Sequence, residues 1–86
     1  MGKEWWETPE EHGFALLVLQ HPLRRGILKY IAGGGKSVEQ TAEEFGIGAS
    51  EAEYHLSMLE RALVAEKEEG GYRATRTGIL FLYQRR

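Results

Sequence analysis

Between Ser37 and Val64, in SVEQTAEEFGIGASEAEYHLSMLERALV, the apolar and small positions Ala42, Phe45, Ile47, Ala52, Leu56 and Leu59 carry the spacing of two short amphipathic helices. Gly46-Ile47-Gly48 separates them, and glycine at position 46 suits the left-handed backbone of a tight turn. Ser37-Val38-Glu39-Gln40 has the pattern of a capping box, in which the Ser37 hydroxyl accepts from the backbone of Gln40 while the Gln40 side chain returns toward Ser37. The first of these helices is therefore expected over about Val38 to Phe45, and the second over about Ala49 to Arg61.

Upstream, Thr8-Pro9-Glu10-Glu11 supplies a capping hydroxyl, a proline at the first helical position and two acids where the helix dipole favours them, so a helix starts at Thr8. It continues through Phe14, Ala15, Leu16, Leu17, Val18 and Leu19, a run apolar nearly all the way round. Such a helix either meets a partner subunit or lies centrally in the core of the monomer. His21-Pro22 ends it, and Pro22 opens a second helix to about Ala32 with Leu23, Ile27, Leu28 and Ile31 inward and Arg24, Arg25 and Lys29 as a basic outer face. Gly33-Gly34-Gly35 terminates that helix.

Downstream, Val64 to Glu68, a turn around Glu69-Gly70-Gly71, and Tyr72 to Ala74 read as a hairpin, two glycines supplying the positive backbone angles of its turn. Thr75 caps a last helix through Ile79, Leu80, Phe81, Leu82 and Tyr83, closed by the basic pair Arg85-Arg86. The first and last helices both carry more apolar surface than one face can bury, which predicts a dimer interface built from both ends of the chain. The expected fold is mainly α with a small β-hairpin, one domain over residues 1–86.

Composition narrows the function classes. The chain has no cysteine, which removes disulfides and thiolate chemistry. No apolar run approaches the roughly 20 residues of a membrane span, and the polar, acidic N-terminus does not read as a signal peptide, so a soluble cytoplasmic protein is expected. Net charge is −2, but it is unevenly placed: residues 37–72 hold nine glutamates against Arg61 and Lys67, while residues 21–36 and 73–86 each sum to +4. All thirteen acids are glutamate.

In a helix-turn-helix the second helix reads DNA, and here its outward residues near the start are Ala49, Ser50, Glu51, Glu53 and Tyr54, without a lysine or arginine among them. The segments HPLRRGIL (21–28), SVEQTAEEFGI (37–47), YHLSMLE (54–60), LV (63–64), GGYR (70–73) and TRTG (75–78) together resemble the winged helix-turn-helix repressors of the ArsR type. That resemblance implies a winged helix-turn-helix with extra N- and C-terminal helices, acting as a homodimer on double-stranded DNA. It implies base-facing Ser50, Glu53, Tyr54 and Ser57, phosphate contacts from Lys36 and Ser37, and wing contacts from Lys67 and Arg73. The chain departs from the family in three places. Glu53 stands where a small hydroxyl residue is usual, though a carboxylate can accept from the amino group of cytosine. Ala62-Leu63 replaces the glycine between the second helix and the hairpin, and the wing tip, with Glu66, Glu68 and Glu69, is acidic.

Other chemistry finds little support. His12, His21 and His55 are scattered, His55 reading as a structural residue of the second motif helix, so no metal is expected. Gly33-Gly34-Gly35-Lys36-Ser37 follows a helix rather than a strand and lacks the length of a phosphate-binding loop, and no nucleophile context points to an enzyme or a cofactor. Trp5-Trp6 is read as closing a small core or a dimer seam. Two functions therefore compete: a dimeric DNA-binding transcriptional regulator, and a winged-helix module that uses its acidic surface to bind a protein partner.

Overall fold

A computed structural model describes residues 5–84, and the Arg85-Arg86 pair expected to end the last helix lies outside them. Five helices and one hairpin follow in the order α1 (Pro9–Leu19), α2 (Pro22–Ala32), α3 (Val38–Phe45), α4 (Ala49–Arg61), β1 (Ala65–Glu68), β2 (Gly71–Ala74) and α5 (Arg76–Gln84). This is the winged helix-turn-helix arrangement with terminal helices. The caps expected from sequence form: Thr8 Oγ1 accepts from Glu11 N at 3.1 Å, and the Ser37/Gln40 box closes with bonds of 2.9 and 2.8 Å. At the start of α5, Thr75 Oγ1 accepts from Gly78 N at 3.1 Å and donates to Leu63 O at 2.7 Å, tying the helix to the chain that leads into the hairpin.

The core is a single cluster in which Val18 and Leu19 of α1, Ile27, Leu28 and Ile31 of α2, Leu56 and Leu59 of α4, Val64, Tyr72 and Phe81 pack together. The α1 helix contributes one face only, with Ala15, Val18 and Leu19 buried while Leu16 and Leu17 stay exposed. Trp6 folds back over α4, its indole Nε1 donating to Ala62 O at 2.7 Å.

Two local expectations need correction, the basic face of α2 and the hairpin turn. Arg24 and Arg25 are not an outer basic face: both are half-buried, Arg24 bonded to His55 and Arg25 donating to Leu19 O and Gln20 O at the C-terminus of α1, which leaves Lys29 as the exposed cation of α2. The glycine run ends α2 as expected, Gly33 capping it with right-handed angles and Gly34, at φ +143°, making the bend. The hairpin turn is Glu69-Gly70 alone, with Gly70 at φ +88°; Gly71 already pairs with Glu68, and it must be glycine because a Cβ there would run into the Lys36 carbonyl. Lys36 bridges Tyr72 through two backbone bonds of 2.9 Å, a single antiparallel bridge on the outer edge of β2.

Where the resemblance led one to look for a glycine, Leu63 takes the left-handed conformation at φ +68°. Its N–H bonds Glu60 O and the Val64 N–H bonds Leu59 O, the two bonds of a Schellman ending, so Val64 closes α4 and the strand begins one residue later, at Ala65. The wing therefore leaves α4 at the same kind of bend that a glycine would make, at a cost in backbone strain. Leu63→Val deletes one methylene but puts a β-branched residue into that bend. A loss of roughly 2 kcal/mol in thermal unfolding is expected, far more than the methylene accounts for; unchanged stability would show that the bend is absent.

Candidate nucleic-acid interface

The turn between α3 and α4 is built by Gly46 at φ 65°, ψ 37°, with Ile47 N bonding Ala42 O at 3.0 Å. Thr41, fully buried, donates to Ser37 O at 2.9 Å and locks the base of α3, while Ala52, Leu56 and Leu59 anchor α4 in the core. The first two turns of α4 thus turn one face outward, with Ser50, Glu51, Glu53 and Tyr54 exposed. The wing runs beside them, and the two enclose an open groove of about 440 Å³ lined by Glu39, Ser50 and Glu53 on the helical side and Lys67, Glu68 and Tyr72 on the wing.

The structure brings most of the candidate residues to this side but leaves few of them unengaged. Ser50 and Glu53 face the groove. Ser57 is half-buried and donates to Tyr54 O at 2.8 Å, within α4 itself. Lys36 Nζ is turned back on the end of α2, donating to Gly34 O at 2.9 Å above the Tyr30 ring at 4.8 Å, and Ser37 is occupied by its capping box. On the wing, Lys67 lies 6.0 Å from the centroid of Tyr72, and Arg73 donates to Glu66 Oε2 at 2.7 Å, so its charge is largely matched across the hairpin. Burial, reinforced by the carboxylates of Glu60 and Glu53, holds the Tyr72 phenol protonated beyond its ordinary range.

Behind this face lies a cluster that pattern reading did not assemble. His55, 5% exposed, accepts at Nδ1 from Arg24 Nε at 3.1 Å, so its proton sits on Nε2, 3.6 Å from Glu51 Oε2. That last contact is too long for a hydrogen bond and acts as an electrostatic one. His21 meets the imidazole edge-on at 5.1 Å, and the Arg24 guanidinium also lies 5.5 Å over the ring of Tyr54. Burial first, then Arg24, pushes the His55 pKa below its ordinary 6.5, with Glu51 opposing. No periodicity links position 24 to position 55; only the packing of α2 on α4 does.

A turn-linked helix pair whose second helix is exposed, with a hairpin alongside, defines a helix-turn-helix protein. The chain belongs to the helix-turn-helix domain family, whose model matches residues 19–68. In structure it is similar to the homodimeric winged helix-turn-helix DNA-binding domain (fragment 1–100) of Mb0332 from Mycobacterium bovis, a possible ArsR-family transcriptional regulator. The TM-score is 0.76 at 21% identity, over 92% of this chain and 82% of that one. Among curated proteins none matches the chain in sequence.

Proposed function

We propose that this protein is a DNA-binding transcriptional regulator that acts as a homodimer, with α4 in the major groove and the wing on the backbone. The observation that carries this reading is the exposed start of α4 beside the wing, the element a helix-turn-helix inserts into DNA. The homodimeric DNA-binding domain it resembles supports the same reading. Ser50, Glu53 and Tyr54 are the base-facing residues, Glu53 suiting the amino group of cytosine. Arg73 and Lys67 serve the backbone, Arg73 exchanging Glu66 for a phosphate, and Lys36 and Ser37 contact phosphate beside α3. The dimer forms through α1 and α5, where Leu16, Leu17, Ile79, Leu80 and Tyr83 are exposed in one chain.

A second reading rests on the charge of the same face. The nine glutamates of residues 37–72, with Arg73 tied to Glu66, also suit a basic protein partner.

Titration of a labelled mixed-sequence duplex of about two helical turns separates the two readings. Binding at low salt is expected, weakening by roughly a thousandfold between about 50 and 200 mM salt if about six phosphates are neutralised. Absence of binding at low salt would remove the DNA reading in favour of the protein partner. Arg73→Ala is expected to weaken binding alike on all sequences, and Glu53→Ala either to strengthen non-specific binding or to erase a cytosine preference. No change from either would refute the docking.

A further inference from the structure

We propose that Arg24 is a positioning residue for the reading helix, latched to α4 by His55 and laid across Tyr54, and that a proton on His55 opens the latch. The latch itself stands on geometry alone; its effect on DNA rests on the reading of α4 given above.

Arg24 starts on α2, yet its guanidinium spans two successive residues of α4. Nε donates to the buried His55 Nδ1 at 3.1 Å, and the cationic plane lies 5.5 Å over Tyr54, which is 54% exposed on the reading side. This fixes where the Tyr54 ring can stand, through a hydrogen bond and a cation–π contact rather than through apolar packing. The bond requires a lone pair on Nδ1, and a neutral imidazole has one such nitrogen, so the latch exists in one protonation state.

Protonation makes Nδ1 a donor. Two donors then face each other at hydrogen-bond distance, and the imidazolium sits beside the Arg24 cation and the His21 ring. The other charged group facing His55 is Glu51, one turn earlier on α4 and at 3.6 Å from Nε2. A charged His55 repels Arg24 and attracts Glu51. Both movements change the reading face in the same direction: Arg24 is released from His55 toward solvent, and a carboxylate of α4 is neutralised. The acidic face becomes less hostile to phosphate, so mild acid tightens duplex binding.

The experiment has two arms. In the free protein, NMR resolved by ¹⁵N for the His55 imidazole and by ¹³C for the Tyr54 ring follows both from about pH 7.5 to about pH 5, across the histidine range. The proton is expected on Nε2 at the upper end, with Tyr54 ring resonances moving in step with the His55 titration. A proton on Nδ1 at neutral pH, or a Tyr54 ring indifferent to that titration, would overturn the latch. In the second arm the labelled duplex is titrated over the same range at constant salt. Affinity is expected to rise roughly three- to tenfold toward acid, one unit of pKa change being a factor of ten. H55Q retains an acceptor for Arg24 but no proton site, and His12 and His21 remain, so the part of the slope lost in this variant belongs to His55. Equal slopes in H55Q and the unsubstituted protein would overturn the link to DNA. If no duplex binds at any pH, the DNA reading fails while the NMR arm still decides the latch.

Discussion

Gly78→Ala is expected to destabilise the protein by roughly 3 kcal/mol, although in a helix alanine is normally preferred to glycine by about 1 kcal/mol. Gly78 is buried in the first turns of α5, where the helix crosses the chain leading into β1. A Cβ there would collide with the Val64 carbonyl and press on Leu28 Cδ1 at 3.2 Å. The Val64 carbonyl cannot move aside freely, because it accepts the Thr75 N–H at 3.0 Å where hairpin and α5 meet. A fall of more than about 10 °C in melting temperature should result in a domain of this size. Gly13→Ala is the internal comparison. Gly13 lies in α1 with nothing within 4 Å of its added Cβ, so alanine there should raise stability by up to about 1 kcal/mol. If both variants are stabilised, α5 does not approach the hairpin as closely as described.

Leu80→Glu is expected to break the proposed dimer and to weaken duplex binding by at least a hundredfold, the avidity that two linked half-sites supply. Leu80 lines two adjoining surface grooves, one shared with Trp5, Trp6 and Leu16 and the other with Arg76, Ile79 and Tyr83, so it stands at the middle of the exposed apolar ground of α1 and α5. A carboxylate in the centre of such an interface is desolvated without a partner. Leu16→Glu, on the other helix and 42% exposed, should act in the same way. Sedimentation velocity reads the assembly state, and thermal unfolding of each variant confirms that the monomer still folds. A monomer at high concentration for the unsubstituted protein would remove the interface altogether.

Much of the architecture was legible because it is written in local chemistry. The Thr8 cap, the Ser37/Gln40 box, the left-handed Gly46 and the Thr75 cap each involve residues within four positions of one another, and all form as expected. The hairpin was placed within a residue at each end. The two hairpin glycines are not equivalent: Gly70 is there for its backbone angle and Gly71 for the close pass of Lys36, 35 positions away. Leu63 stands where the resemblance implies a glycine, yet the bend forms with leucine in place, because two backbone hydrogen bonds and the packing around it hold a conformation that leucine alone disfavours.

The candidate interface divides in the same way. That α4 carries an acidic outer face with Ser50, Glu53 and Tyr54 was readable from helical period alone, since period decides which side chains share a side. What each cation does was not. Arg24 and Arg25 read as a basic outer face and Lys36 as a phosphate contact, whereas in the free chain tertiary contacts hold them at His55, at the last carbonyls of α1 and at those ending α2. Sequence by itself determined the elements, their caps and the sign of the charge on the exposed helix, because these depend on neighbours within a turn. Only the tertiary structure decided which charges are already paired and which glycine is sterically required, because those answers depend on atoms brought close by packing from distant parts of the chain.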